Sequence, residues 1–245
     1  MPVEIKSSER VDTLKVSGFK VIQEEKRFCF GIDAVLLSDF VSTGRNEKIC
    51  DLGTGTGIIP FLLAAKNQSL KIDALEIQTE SCDMAKRSVR LNKLEDRINI
   101  VEGDIKTACR FFEKNTYDVV TSNPPYMIAG HGEGNGNYEK TIARHEVLCT
   151  LDDVVRSASE VLKSQGRFYM IHKPFRLAEI ISVMMKYKLE PKRMRLCFPY
   201  VDKEPTMVLI EGVKCAKSQI KIEPPLIVYE KSGGYTKEVQ EIYSR

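Results

Sequence analysis

Four consecutive residues, Asn123, Pro124, Pro125 and Tyr126, carry the most specific chemistry in the sequence. They close an apolar run over 117–122 whose Val and Thr content has strand character. The double proline stops that run. Each proline fixes φ and removes a backbone donor, and a residue before proline is held extended. The predicted product is a stiff corner at the C-terminal edge of a strand, where open α/β sheets bind their ligands. An amide side chain, a free carbonyl and an aromatic ring are presented there together. That set suits an NH2 group whose lone pair is delocalised into a π system. The Asn123 side-chain oxygen and the Pro124 carbonyl can accept both N–H bonds. They thereby favour a pyramidal nitrogen and stabilise positive charge as it develops. Tyr126 can stack on a planar base or amide. The plain alternative is a strand followed by a proline-rich turn.

A second cluster lies upstream. Asp51, Leu52, Gly53, Thr54, Gly55, Thr56 and Gly57 sit between a strand pattern and a helix pattern. Glycines at such a junction let the backbone turn tightly and approach a ligand. The run is a poor dinucleotide fingerprint, because Ile58 stands where a Gly or Ala is needed, and no Walker phosphate loop occurs. A ligand without phosphates fits better. S-adenosylmethionine carries an ammonium, a sulfonium, a ribose diol and an adenine. Asp51 can serve the charged amino-acid end, directly or through water. Glu76 can accept both ribose hydroxyls, having two acceptor oxygens and no donor. Asp104 can accept from the adenine amino group. Each acid alone reads as a loop residue or a helix cap; their placement after successive strands is what joins them.

The elements that must position these residues follow from periodicity. Residues 48–52, 71–76, 97–102 and 117–122 read as strands, and 57–66, 79–92 and 107–113 as the helices between them. This alternation predicts βαβ units and a parallel sheet with right-handed crossovers. Residues 151–162 read as a helix, 166–172 as a strand and 174–187 as a helix begun by proline. Residues 193–198 and 206–213 read as an antiparallel hairpin. Toward the N-terminus, 1–13 is polar and predicted loose, 14–30 suggests a hairpin around Gly18, and Gly31-Ile32-Asp33 a turn with an N-cap before a helix over 34–41. The glycine-rich stretch 130–137 predicts a mobile loop over 127–149, placed as a lid or as a passive insertion. Residues 214–245 read as an extended tail.

Composition excludes several classes. The 245 residues are 42% hydrophobic and 29% charged, ordinary for a globular protein. Seven scattered cysteines, none in a C-x-x-C pair, argue against a disulfide framework and a zinc site and predict a cytoplasmic setting. The first residues lack a signal-type apolar core, and no run is long enough to span a bilayer. The net charge of +3 is uninformative, but 163–195 holds nine basic residues against Glu179 and Glu190. Such a patch suits a phosphate backbone, or merely keeps a face solvated.

The ordered set Asp51 to Gly57, Glu76, Asp104 and Asn123-Pro124-Pro125-Tyr126 resembles the motifs of class I S-adenosylmethionine-dependent methyltransferases, among them those that methylate amino nitrogen. More narrowly, residues 28–37, Ala143-Arg144-His145-Glu146 and 172–177 resemble bacterial tRNA adenine-N6 methyltransferases, which act on the adenine just 3′ of the anticodon of a valine tRNA. The resemblance covers roughly 14–213. It implies a Rossmann-like α/β fold: a mostly parallel seven-stranded sheet, an antiparallel C-terminal hairpin and helices on both faces. It divides the chain into an extension over 1–46, the methyltransferase domain over 47–213 and a tail over 214–245. Asn123, Pro124, Pro125 and Tyr126 are the implied catalytic group. Gly31, Asp33, Asp51, Leu52, Gly53, Gly55, Gly57, Glu76, Ile77, Gly103, Asp104, Ile105 and Asn123 are the implied cofactor contacts, with 31–34 closing over the methionine end. The expected partner is tRNA. His145 and His172 have structural or RNA-contacting roles in this reading, because methyl transfer to a neutral amine scarcely needs a base; Arg144 and Lys173 can contact phosphate.

Other readings stay open on the sequence. The same corner serves enzymes that methylate a glutamine amide of release factors, though only about 46 residues precede the first strand where those enzymes carry a helical domain. Adenines elsewhere in RNA or DNA are alternative acceptors. A non-catalytic RNA-binding protein on the same fold would not need Asp51, Glu76 and the intact corner.

Overall fold

A computed structural model describes residues 3–15, 17–24, 31–126 and 149–244. The expected glycine-rich loop, with His145 and Arg144, and residues 28–30 lie outside the described residues.

The central sheet forms as the alternation predicts. β3 (Lys48–Leu52), β4 (Lys71–Glu76), β5 (Ile98–Glu102), β6 (Tyr117–Ser122) and β7 (Leu162–His172) are all parallel, in the order β7-β6-β3-β4-β5. Both faces are covered, which is why the strands read as near-continuous apolar runs. Alternate residues feed two separate cores. Ile49, Ile72, Val119 and Tyr169 pack with α1 (Ile32–Phe40), α2 (Ile58–Lys66) and α3 (Thr79–Leu91). Cys50, Leu75, Val120 and Phe168 pack with α4 (Leu151–Val161) and α5 (Leu177–Lys186). The chain builds outward from β3 through β4 and β5, then returns to place β6 on the opposite side. A crevice opens at that reversal, above the C-terminal ends of β3 and β6, where such sheets bind ligands.

β8 (Leu189–Phe198) and β9 (Met207–Lys214) form the expected antiparallel pair, and β9 also pairs antiparallel with β7. β8 starts before residue 193 because a register shift between Pro191 and Arg193 admits the proline, which cannot donate to the ladder. The expected helix over 107–113 is instead a 3₁₀ turn over Ile105–Arg110, and a second one, Pro174–Arg176, leads into α5.

Two expectations are corrected at the chain's ends. Among the described residues the sheet has nine strands, not seven: β10 (Lys221–Ile222) and β11 (Leu226–Ile227) add parallel to β8. The tail is therefore not merely extended. It covers an otherwise unpaired strand edge, and α6 (Lys237–Ile242) buries Val239 and Ile242 in the core that holds α1. At the other end the hairpin is β1 (Glu9–Thr13) with β2 (Lys20–Glu24), turning at Gly18, whose φ is 70°. Its first strand lies in the stretch expected to be loose. β1 is an outer strand with mostly exposed side chains, so its polar composition hides it. The hairpin docks on α3: Ile22 N donates to Ser88 Oγ at 2.9 Å, Lys20 N donates to Asn92 Oδ1 at 2.8 Å, and Arg87 forks onto the Glu9 carboxylate at 2.7 and 2.5 Å. No described helix is long and apolar enough to cross a membrane.

Candidate active site

The corner is fixed from behind by two buried hydroxyls. Thr121 donates to Asp51 Oδ1 at 2.6 Å and Ser122 donates to the Leu52 carbonyl at 2.8 Å. These bonds tie β6 to β3 where both strands end, so Asn123 leaves the sheet beside the glycine turn. Asn123 Nδ2 donates to Asp33 Oδ2 at 3.1 Å. The Tyr126 hydroxyl lies 2.7 Å from the same oxygen and also bonds Asn123 Oδ1. Burial and the neighbouring Asp33 charge push the Tyr126 phenol well up, so it keeps its proton and remains a donor. The Asp33 carboxylate is not the N-cap of α1 that the sequence suggested. Gly31 occupies the cap position, and Asp33 lies in the first turn with Oδ2 turned to the corner.

Behind Tyr126, His172 is 1% exposed and meets its ring edge-on at 5.4 Å. His172 Nδ1 accepts from Lys173 N at 2.7 Å, and burial, helped by Arg176, pushes its imidazole down to about 4. Among the described residues it is a buried packing element that favours the neutral form. Lys173 Nζ stands 5.1 Å from the Tyr126 ring centroid.

The glycine turn makes the opposite wall. Gly53 and Thr54 N–H groups donate to the Leu75 carbonyl at 2.9 and 3.0 Å. Gly55 N donates to Glu76 Oε2 at 2.7 Å and Gln78 N to Oε1 at 2.8 Å. Glu76 is thereby aimed by two backbone amides and keeps lone pairs for a ligand. Gly55 has φ of 58°, and a Cβ built there meets nothing within 4 Å, so a side chain would project into open space. Asp51 is fully buried behind this turn. Its Oδ2 and the Thr54 Oγ1 have no hydrogen bond of normal geometry. Burial pushes the Asp51 carboxyl up to about 6, against the nearby hydroxyls of Thr121 and Thr54.

Between these walls lies a cavity of about 370 Å³. Its lining includes Asp33 and Ala34 of α1, Gly53 to Thr56, Glu76 to Gln78, Asp104 and Ile105, Asn123 to Tyr126, and Lys173. Of the sequence candidates, Gly31, Asp51, Leu52, Gly57 and Gly103 do not line it. Gly57 (φ 86°) caps α2. A Cβ at Gly103 would come within 2.5 Å of the Phe111 ring, so that glycine makes room for packing. Ile58, Ile59 and Cys149 also line the cavity and were not singled out. No sequence signal marks them, although Ile58 follows the glycine run directly. Burial pushes the Cys149 thiol up to about 12, which disfavours the thiolate.

The donor set fits S-adenosylmethionine on two observations. Thr54 Oγ1 on the cavity wall and Asp51 Oδ2 buried behind it make no hydrogen bond of normal geometry, which leaves acceptor capacity for an ammonium directly or through water, and the bare Gly55 leaves space a side chain would fill.

Residues 31–190 match the family model described as the methyltransferase small domain. The chain belongs to that family. It is an S-adenosylmethionine-dependent methyltransferase. Similar proteins include the tRNA1(Val) (adenine(37)-N6)-methyltransferase of Trichodesmium erythraeum, 30% identical over 72% of this chain and 76% of that protein. The protein of the same name from Porphyromonas gingivalis (strain ATCC 33277) is 29% identical over 97% of this chain and 92% of its own length. Among solved structures, one from Agrobacterium tumefaciens described as a predicted O-methyltransferase superposes with a TM-score of 0.71 at 24% identity, covering 86% of this chain and 95% of that one. It shares the fold of this methyltransferase.

The basic segment of the methyltransferase does not form the patch that its composition suggested. Lys163 pairs with Asp118 at 2.6 Å, Arg167 with Glu47, Lys186 with Asp152 at 2.6 Å, Arg193 with Glu211 at 2.6 Å and Arg195 with Glu238 at 2.7 Å. Those acids come from outside the segment, and Arg176 pairs with Glu179 within it at 2.8 Å. Most of the local excess is therefore cancelled in three dimensions. Lys173 differs in position, standing at the cavity wall.

Proposed function

We propose that this methyltransferase transfers the methyl group of S-adenosylmethionine to N6 of an adenine in tRNA, the adenine 37 of tRNA1(Val) that its relatives' names specify. One observation carries the chemistry: Asn123 to Tyr126 line the cavity with the Asn123 amide held in a fixed orientation by Asp33 and Tyr126. In this reading Asp51 and Thr54 serve the methionine end of the cofactor. Glu76 takes the ribose hydroxyls, Asp104 the adenine amino group, and Ile77 and Ile105 flank the adenine ring. The bound cofactor supplies an electrophilic methyl carbon on a sulfonium, a good leaving group.

The protein's own residues act on the other partner. The Asn123 oxygen and the Pro124 carbonyl accept the two N6 hydrogens, which draws the nitrogen lone pair out of conjugation. The freed lone pair would then take the methyl carbon, the new N–C bond replacing the S–C bond to a departing thioether. The nitrogen, now cationic, loses a proton to water. Tyr126 holds the base in place, and a loop base outside a duplex reaches it with little unstacking.

The test is transfer of labelled methyl to unmodified bacterial tRNA, with nucleosides and fragments identified by mass spectrometry. N6-methyladenosine in the anticodon-loop fragment of a valine tRNA is expected. Label absent from tRNA, with cofactor bound, would overturn the substrate.

A further inference from the structure

An Asn side chain has two nearly isosteric ends, one accepting and one donating. Only its surroundings decide which end faces a ligand. At the corner the deciding group is Asp33. Its Oδ2 accepts from Asn123 Nδ2 at 3.1 Å, and an ionised carboxylate accepts only. Turning the amide over would set the Asn123 oxygen against that carboxylate, acceptor against acceptor. It would also present an NH2 group to the substrate NH2, donor against donor. The Tyr126 hydroxyl has one proton and two acceptors in reach, Asn123 Oδ1 and Asp33 Oδ2, the latter at 2.7 Å. When a substrate amine needs Asn123 Oδ1, that proton has Asp33 to go to, in a charge-assisted bond.

We propose that Asp33 is the positioning residue of the transfer: it holds Asn123 with its oxygen toward the substrate nitrogen and frees that oxygen by taking the Tyr126 hydroxyl. The proposal rests on the reading in which Asn123 accepts from the substrate amine, and it gives Asp33 a role other than clasping the cofactor.

Neighbouring geometry is built to hold this carboxylate. It is 8% exposed, and Oδ1 accepts from Ala34 N at 3.0 Å in the first turn of α1, where the peptide dipoles stabilise negative charge. A Cβ at Gly31 would stand 2.9 Å from Asp33 Oδ1. Gly31 has φ of −103°, so its backbone asks nothing of glycine. The carboxylate, already committed to three bonds, does ask for it. Gly31 and Asp33 thus act as one unit.

The experiment compares Asp33→Asn, Gly31→Ala, Asn123→Ala and the double variant Asp33→Asn/Asn123→Ala. It measures kcat, KM for tRNA, and the S-adenosylmethionine Kd by calorimetry. Asp33→Asn is expected to lower kcat by about a hundredfold, the scale of a misplaced oxyanion-type contact. The cofactor Kd should stay within about twofold, which also shows the fold intact. Gly31→Ala should fall in the same direction. In the Asn123→Ala background, Asp33→Asn should cost less than about threefold more, because Asp33 acts through Asn123. A tenfold weaker cofactor Kd in Asp33→Asn would make it a cofactor clasp and overturn the proposal. So would unchanged kcat, or an equal loss in both backgrounds. Full activity of Asn123→Ala would instead bring down the underlying reading, and is seen independently of Asp33.

Discussion

At the scale of single residues the site separates binding from chemistry. In the proposed reading Asn123 and the Pro124 carbonyl serve the substrate, while Glu76 and Asp51 belong to the opposite wall and its backing. Asn123→Ala should lower kcat by about 10²–10³-fold with cofactor binding kept. Glu76→Ala should weaken cofactor binding about tenfold or more, since a hydrogen-bonded charge is lost, and calorimetry separates the two effects. Asp51 adds a pH dependence whose sign follows from its burial. Its carboxyl is pushed up from 3.8 to about 6, so between those values the folded chain holds a proton that the unfolded chain releases. Stability from this group is therefore largest in acid and is lost as pH rises through about 6. Binding of an ammonium runs the other way, because it needs the charged carboxylate. Cofactor affinity should fall as pH drops below about 6, and Asp51→Asn should be weaker above that value, flat across the window and close to the wild type below it. A pH-independent affinity in the wild type would remove Asp51 from the ammonium role.

At the scale of elements, side chains from distant segments finish what local sequence leaves open. Arg97, at the start of β5, donates to the Ala64 and Asn67 carbonyls at 2.8 Å each and closes the end of α2. Lys214 does the same for α4 through Ser159 O and Leu162 O at 2.5 and 2.8 Å. The N-terminal hairpin is held by the fork of Arg87 on Glu9, with both side chains nearly buried at 6% and 4% exposure. Hydrogen bonding from Arg87 holds the Glu9 carboxyl below its usual 4.5. Its contribution is thus complete at neutral pH and lost as pH falls through the lowered value. Arg87→Ala leaves the Glu9 carboxylate with no guanidinium partner and should cost about 3 kcal/mol, measured by urea denaturation at pH 7. The difference from wild type should narrow below pH 4. An unchanged midpoint would mean the hairpin is not anchored there.

At the scale of the molecule, the sheet places the corner Asn123 to Tyr126 and the glycine turn Gly53 to Gly57 side by side because β6 returns to lie next to β3. The tail completes the other edge. It contributes Leu226, Val228, Val239 and Ile242, all under 5% exposed, and the acids Glu223 and Glu238 that pair with Arg193 and Arg195. Burying those four side chains is worth about 6 kcal/mol or more on an area basis, an upper estimate that rivals a whole domain's stability. A chain ending at residue 213 should therefore lose its cooperative thermal transition and its cofactor binding. A truncated chain that melts like the full one would show the tail to be an appendage.

Much of this protein follows from its sequence alone. The alternation of apolar runs with amphipathic ones dictates the parallel sheet, since strand and helix periods are local. The corner Asn123 to Tyr126 and the turn Asp51 to Gly57 announce themselves, because proline and glycine constrain the backbone whatever surrounds them. Glu76 and Asp104 follow once the strand ends are placed. The tertiary structure alone decided the rest. Nothing local says that Asp33 meets Asn123, 90 residues away, or that Gly31 is bare to make room for it. The polar strand β1 and the short strands β10 and β11 depend on partners rather than on their own composition. The basic segment misled for the same reason. Charge along a chain is a sum over neighbours in sequence, whereas the field at a surface is set by neighbours in space, and Asp118, Glu47, Asp152 and Glu211 arrive only on folding.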